Sequence, residues 1–199
     1  MNRAWGKIAW LYALGVLAAA QLGKMSALAP LITIELAMGL TLAGLLISLL
    51  EIGGASLGFI AGQVVDRIGV RRILLTGIGL FALAGLGESL AHSVAVLVGM
   101  RMLEGLSYLC VVVAAPLLIF RTAPTDKQGV ALALWSGFVP VGFALGAMSS
   151  GLIADLLSWR AATLAWAFAA ATMCLLSSRM EFAPSPAGAR RRLVMPGWR

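Results

Sequence analysis

Charge is scarce in this chain. Only 12% of its 199 residues are charged, only 8 are acidic, and 61% are apolar. An average soluble domain carries about 25% charge, and one of this size could not hide so much apolar surface in its interior. Histidine occurs once, at His92, which excludes most histidine-based metal and triad chemistry. The two cysteines, Cys110 and Cys174, lie inside apolar runs and read as small hydrophobes rather than a disulfide or a metal pair. No Gly-rich phosphate loop, CxxC, HExxH or GxSxG occurs. These absences argue against an enzyme: no catalytic residue, no metal site and no cofactor is expected.

What the chain has instead is long apolar runs. A spanning helix needs about 20 mostly apolar residues, and six segments qualify: 8–31, 40–63, 73–90, 94–120, 130–152 and 161–177. In lipid the backbone must satisfy its own hydrogen bonds, so these segments are helices. The expected architecture is an all-α integral membrane domain over residues 1–180, followed by a basic cytoplasmic tail, 181–199. That tail carries Pro184, Pro186, Gly188 and Arg190-Arg191-Arg192. It reads as a disordered anchor for anionic headgroups. Arg3 and Lys7 before Ala18-Ala19-Ala20 resemble a cleavable leader, but the stretch runs on past Lys24 to Ile34, long enough to span.

The net charge of +7 sits in short clusters between apolar runs, a pattern that speaks against nucleic acid. With the amino terminus inside, the inner segments hold Arg3, Lys7, Arg67, Arg71, Arg72, Arg121, Lys127, Arg179, Arg190, Arg191, Arg192 and Arg199, and the outer loops only Arg160. This bias places both termini in the cytoplasm, with an even number of crossings of the inner membrane.

A weak repeat relates the two halves. Gly62, Asp66 and Arg71 follow G-x3-D-x4-R, and Gly151, Asp155 and Arg160 follow it again 89 residues later. The first copy ends the second span and the second ends the fifth. Spans one to three thus match spans four to six with opposite entry into the membrane, as in the inverted repeats of secondary transporters.

The loop Gly62-Gln63-Val64-Val65-Asp66-Arg67-Ile68-Gly69-Val70-Arg71-Arg72 resembles the signature loop of the major facilitator superfamily, G-x3-[DE]-[RK]-x-G-x-[RK]-[RK]. Gly62 lets helix ends approach closely, Gly69 permits a tight turn, and Asp66 can pair with arginines or face a helix amino terminus. Arg101-Met102-Leu103-Glu104-Gly105 is similar to the family's R-x-x-Q-G element, with Glu104 where Gln is usual. Gly137, Pro140, Gly142 and Gly146 partly resemble its glycine–proline element, and Trp159-Arg160 is common in it. The resemblance implies an amino-terminal six-helix half, two inverted three-helix units, in a family whose usual unit has twelve helices. It implies a conformational-switch loop at Gly62, Asp66, Arg67, Gly69, Arg71 and Arg72, alternating-access transport of a small solute, and a proton role for the arginine at 101.

Lys24, Glu51, Arg101 and Glu104 fall inside expected spans. Each intramembrane charge costs about 2.5–3.5 kcal/mol, so such residues face a bundle interior or a wet cavity. Two readings stand: a transport pathway in which a carboxylate, Glu51 foremost, carries a coupling proton, or ion pairs that lock the bundle. Lys24 is expected near Glu51 or Glu104. His92 and Glu88 are placed in an outer loop, Glu35 on the outer surface, and Trp5, Trp10, Trp159 and Trp166 at the interfaces. As partners the chain calls for the bilayer, a small solute, a proton, and a second six-helix half, by homodimerisation or from a separate chain. The competing reading is a non-transporting scaffold, an assembly partner or a truncated inactive fragment.

Overall fold

The computed structural model describes residues 2–50 and 68–182. Among them only helices occur: α1 (Asn2–Glu35), α2 (Leu40–Leu50), α3 (Val70–Ser89), α4 (Val94–Thr122), α5 (Gln128–Trp135), α6 (Phe138–Leu156) and α7 (Trp159–Ser178), with a 3-10 turn at Thr125–Lys127 before α5. Five stretches are long and apolar enough to cross a membrane, with α5 and α6 counted as one, and α2 adds a shorter apolar helix. The second expected span, 40–63, lies beyond the described residues from position 51.

The helices start where local chemistry stops the preceding loop. Ser93 and Ser158, both extended, accept hydrogen bonds from the backbone N–H groups of Val96 and Ala161 and cap α4 and α7. Gly69 precedes α3 with φ of +95°, a conformation that side chains with a Cβ resist. α1 has 34 residues, about 50 Å at 1.5 Å per residue, so it extends past a hydrocarbon core of about 30 Å or tilts within it.

One expected element is divided. The segment 130–152 is not a continuous helix: α5 ends at Trp135 and α6 begins at Phe138. Pro140 explains the break. It has no N–H for the Ser136 carbonyl, and its ring crowds that carbonyl.

Packing depends on close backbone approach, as expected where lipid is as apolar as leucine. α1 crosses α6 at Gly23, Gly142 and Gly146; a Cβ on Gly146 would lie 2.1 Å from the Ala20 carbonyl oxygen, and one on Gly23 2.0 Å from that of Phe143. α4 meets α2 at Gly105, beside the Leu49 and Leu50 backbone. These two contacts, fifth span on first and second on fourth, are equivalent under the three-helix repeat. α3 packs against α4 at Gly77 and against α7 at Gly85.

Two apolar clusters fill the bundle. One, at the end where α1 begins and α7 stops, contains Leu11, Leu14, Leu74, Ile78, Val111 and Leu118. The other, at the far end, contains Met25, Leu28, Ile32, Leu97 and Trp159. The residues after α7 return to the first cluster: Phe182 is buried in it, Lys7 donates to the Glu181 carbonyl, and Arg71 donates to those of Ser178 and Met180. The first two residues assigned to a disordered tail are therefore docked, because Phe182 is an apolar anchor and the carbonyls ending α7 attract cations. Residues 183–199 lie outside the described residues.

Candidate functional site

Between the two apolar clusters lies the one fully buried set of ionisable side chains among the described residues. Lys24 of α1, Glu88 of α3, and Arg101 and Glu104 of α4 all have side chains at 0% exposure. On α1 and α4 the charges fall between members of the two clusters, and on α3 Glu88 follows the members of the first, so the bundle carries a polar layer between apolar side chains.

Lys24 bridges both acids: its Nζ lies 2.6 Å from Glu88 Oε2 and 2.6 Å from Glu104 Oε1. Arg101 Nη1 pairs with Glu104 Oε2 one turn along α4. Its Nε donates to the Leu46 carbonyl of α2 at 3.0 Å and its Nη1 to the Gln21 carbonyl of α1 at 3.4 Å. Two cations and two anions leave the layer neutral, which is what makes its burial tolerable. Satisfaction is incomplete: Glu88 Oε1 and Arg101 Nη2 are buried without a hydrogen-bond partner.

Of the four intramembrane charges expected from the sequence, Lys24, Arg101 and Glu104 meet here. Glu51 lies outside the described residues. Glu88 corrects the sequence reading: it is not in an outer loop but in the last turn of α3, facing inward. Its signal was helical phase. Ile78, Phe81, Gly85 and Glu88 recur at three- and four-residue intervals and are all buried, so the acid continues an apolar stripe.

The other expected sites are dispersed. Of the signature loop, Gly62, Asp66 and Arg67 lie outside the described residues. Gly69 forms the turn, Arg71 caps α7, and Arg72 is exposed. In the repeated pattern, Gly151 and Asp155 lie in the last two turns of α6. Arg160, the second residue of α7, pairs with Glu35, donates to the Ala91 carbonyl at 2.8 Å, and lies over the Trp159 ring. Glu35 thus belongs to a clamp at the far end, where Trp159 also donates to it. Two more tryptophans tie helices together: Trp10 donates to Ser177 and Trp166 to Ser150, each at 2.9 Å. His92 is exposed.

Two apolar cavities open elsewhere among the described residues. One of about 350 Å³ is lined by Trp5, Tyr12, Leu134 and Trp135 near the start of α1. One of about 380 Å³ lies between α1, α2 and α6, lined by Leu22, Ser26, Ile47, Ser48 and Phe143. The four charged residues line neither.

Comparison with known proteins agrees with this architecture. The family profile of the Major Facilitator Superfamily matches residues 11–197. "Putative metabolite transport protein YwtG" of Bacillus subtilis is 30% identical over 155 residues, 76% of this chain and 34% of that protein. The tetracenomycin C resistance and export protein of Streptomyces glaucescens is 35% identical over 101 residues, 51% of this chain and 19% of that protein. "Probable multidrug resistance protein EmrY" of Escherichia coli is 33% identical over 100 residues, 50% of this chain and 20% of that protein. The chain thus spans about a third or less of the length of these relatives. The match, covering nearly the whole helical bundle, shows that this is a multi-pass membrane protein and not an enzyme, and that the chain belongs to the Major Facilitator Superfamily.

Proposed function

We propose that the chain is a six-span unit of a secondary transporter that moves a small organic solute across the cytoplasmic membrane by alternating access, with a proton as coupling ion. The observation that carries this reading is the neutral four-charge layer joining α1, α3 and α4. A structural core gains little from buried ion pairs, which apolar side chains often replace at no loss. A layer whose charges can exchange partners lets helices shift while every charge stays compensated. The apolar cavities and the export and resistance proteins among the relatives support an amphipathic organic solute.

The working unit pairs this chain with a second six-span unit of the same orientation, supplied by another copy or a separate chain. Both termini face the cytoplasm, supported by the distribution of arginine and lysine. The complete burial of the layer favours one second reading, a static lock in a non-transporting scaffold.

Cells expressing the chain test the proposal. Energised cells should accumulate less ethidium or tetracenomycin C than cells carrying an empty vector, and collapse of the pH gradient should erase the difference. Equal accumulation of both compounds, together with a strictly monomeric state in detergent, would reject it.

A further inference from the structure

We propose that Glu88 is the carboxylate of the buried layer that takes up and releases a proton. The inference rests on the transport reading for its purpose, but its chemistry stands on the geometry of the layer. The two acids are held unequally. Glu104 has both oxygens engaged, Oε1 by Lys24 at 2.6 Å and Oε2 by Arg101. Placing a proton on either would turn an acceptor into a donor facing a cation and break a charge-assisted bond. Glu88 is engaged on Oε2 alone, by Lys24 at 2.6 Å. Its Oε1 is buried with no hydrogen-bond partner, and Arg101 Nη1 stands 3.9 Å away, beyond hydrogen-bond reach.

A proton added to Glu88 Oε1 therefore breaks no existing hydrogen bond. The buried oxygen that lacks a partner becomes the O–H of a neutral acid, and Oε2 still accepts from Lys24. The layer passes from neutral to a single positive charge. The balance returns when the proton leaves for water.

The groups in ion-pair contact with Glu88 among the described residues are Lys24 from α1 and Arg101 from α4, with Glu104 beside them. α7, which packs on α3 at Gly85, contributes no charge to the layer; its Arg160 is committed to Glu35 and the Ala91 carbonyl. Position favours exchange too. Glu88 is in the last turn of α3, four residues before the exposed His92, whereas Arg101 and Glu104 lie two or more turns into α4.

The test is infrared difference spectroscopy of the full chain in lipid vesicles, between acidic and neutral buffer, reading the carbonyl stretch of a protonated carboxylic acid. Expected is a band in the wild type that is lost in Glu88→Gln and kept in Glu104→Gln. A wild type without the band, or a Glu88→Gln variant that retains it, overturns the proposal. Should Glu88→Gln lose its helical circular dichroism, Glu88→Asp replaces it: a shifted band supports the assignment and an unshifted one overturns it. Ethidium flux in the same vesicles separates the two claims. Loss of the band without any wild-type flux leaves the protonation intact and refutes transport; pH-driven flux with the band intact in Glu88→Gln does the reverse.

Discussion

Lys24 is the residue on which the buried layer turns, since it hydrogen-bonds both acids, whereas Arg101 hydrogen-bonds Glu104 alone. Lys24→Ala would leave Glu88 and Glu104 sharing a single arginine in a dry interior. Breaking a buried pair costs about 3–5 kcal/mol, and the unfolding midpoint in detergent should fall accordingly. Glu35→Gln offers the contrast. Glu35 is 46% exposed and Arg160 27%, so solvent screens the pair and its loss should cost about 0–1 kcal/mol. Equal losses in the two variants would show that burial does not set the worth of these contacts. Three members of the layer were legible in the sequence because a lysine, an arginine and a glutamate stand out inside apolar runs. Glu88 was not, because Ser89 and His92 beside it look like loop; its phase on the stripe from Ile78 was the signal passed over.

At the scale of helices, glycine sets how closely the spans pack. Gly146→Leu would drive a side chain into the Ala20 carbonyl, whose oxygen would stand 2.1 Å from the new Cβ, and force α6 away from α1. Overpacking of this kind costs about 1–3 kcal/mol, so a lower thermal midpoint is expected. Gly151→Ala, with nothing within 4 Å of an added Cβ, should be neutral or stabilise α6 by up to about 1 kcal/mol. The reverse ranking would contradict the packing described. The existence of the helices was readable from apolar length, since lipid leaves no other solution for the backbone. The break between α5 and α6 was not anticipated, although Pro140 was visible: whether a proline bends or interrupts a span depends on which neighbours re-satisfy the freed carbonyl. Which glycines mark crossings was likewise hidden, since Gly146 and Gly151 differ only in what faces them.

For the whole molecule, family and topology go together. In a background with Cys110 and Cys174 replaced by alanine, a membrane-impermeant thiol reagent applied to intact cells should label His92→Cys and Ser158→Cys but not Asp126→Cys. Labelling of Asp126→Cys alone would invert the orientation. The signature loop named the superfamily from sequence, and the matched profile shows the membership. The sequence could not convey that Lys24, Glu88, Arg101 and Glu104 meet in one layer between two apolar clusters, because that depends on the depth at which α1, α3 and α4 cross.

The most direct measurement is flux through the purified chain reconstituted in proteoliposomes, where no host transporter contributes. With an imposed pH gradient, vesicles containing the chain should accumulate ethidium above protein-free vesicles, and the gradient should dissipate as they do. Accumulation equal to that of protein-free vesicles, with the chain folded and inserted, would contradict the account.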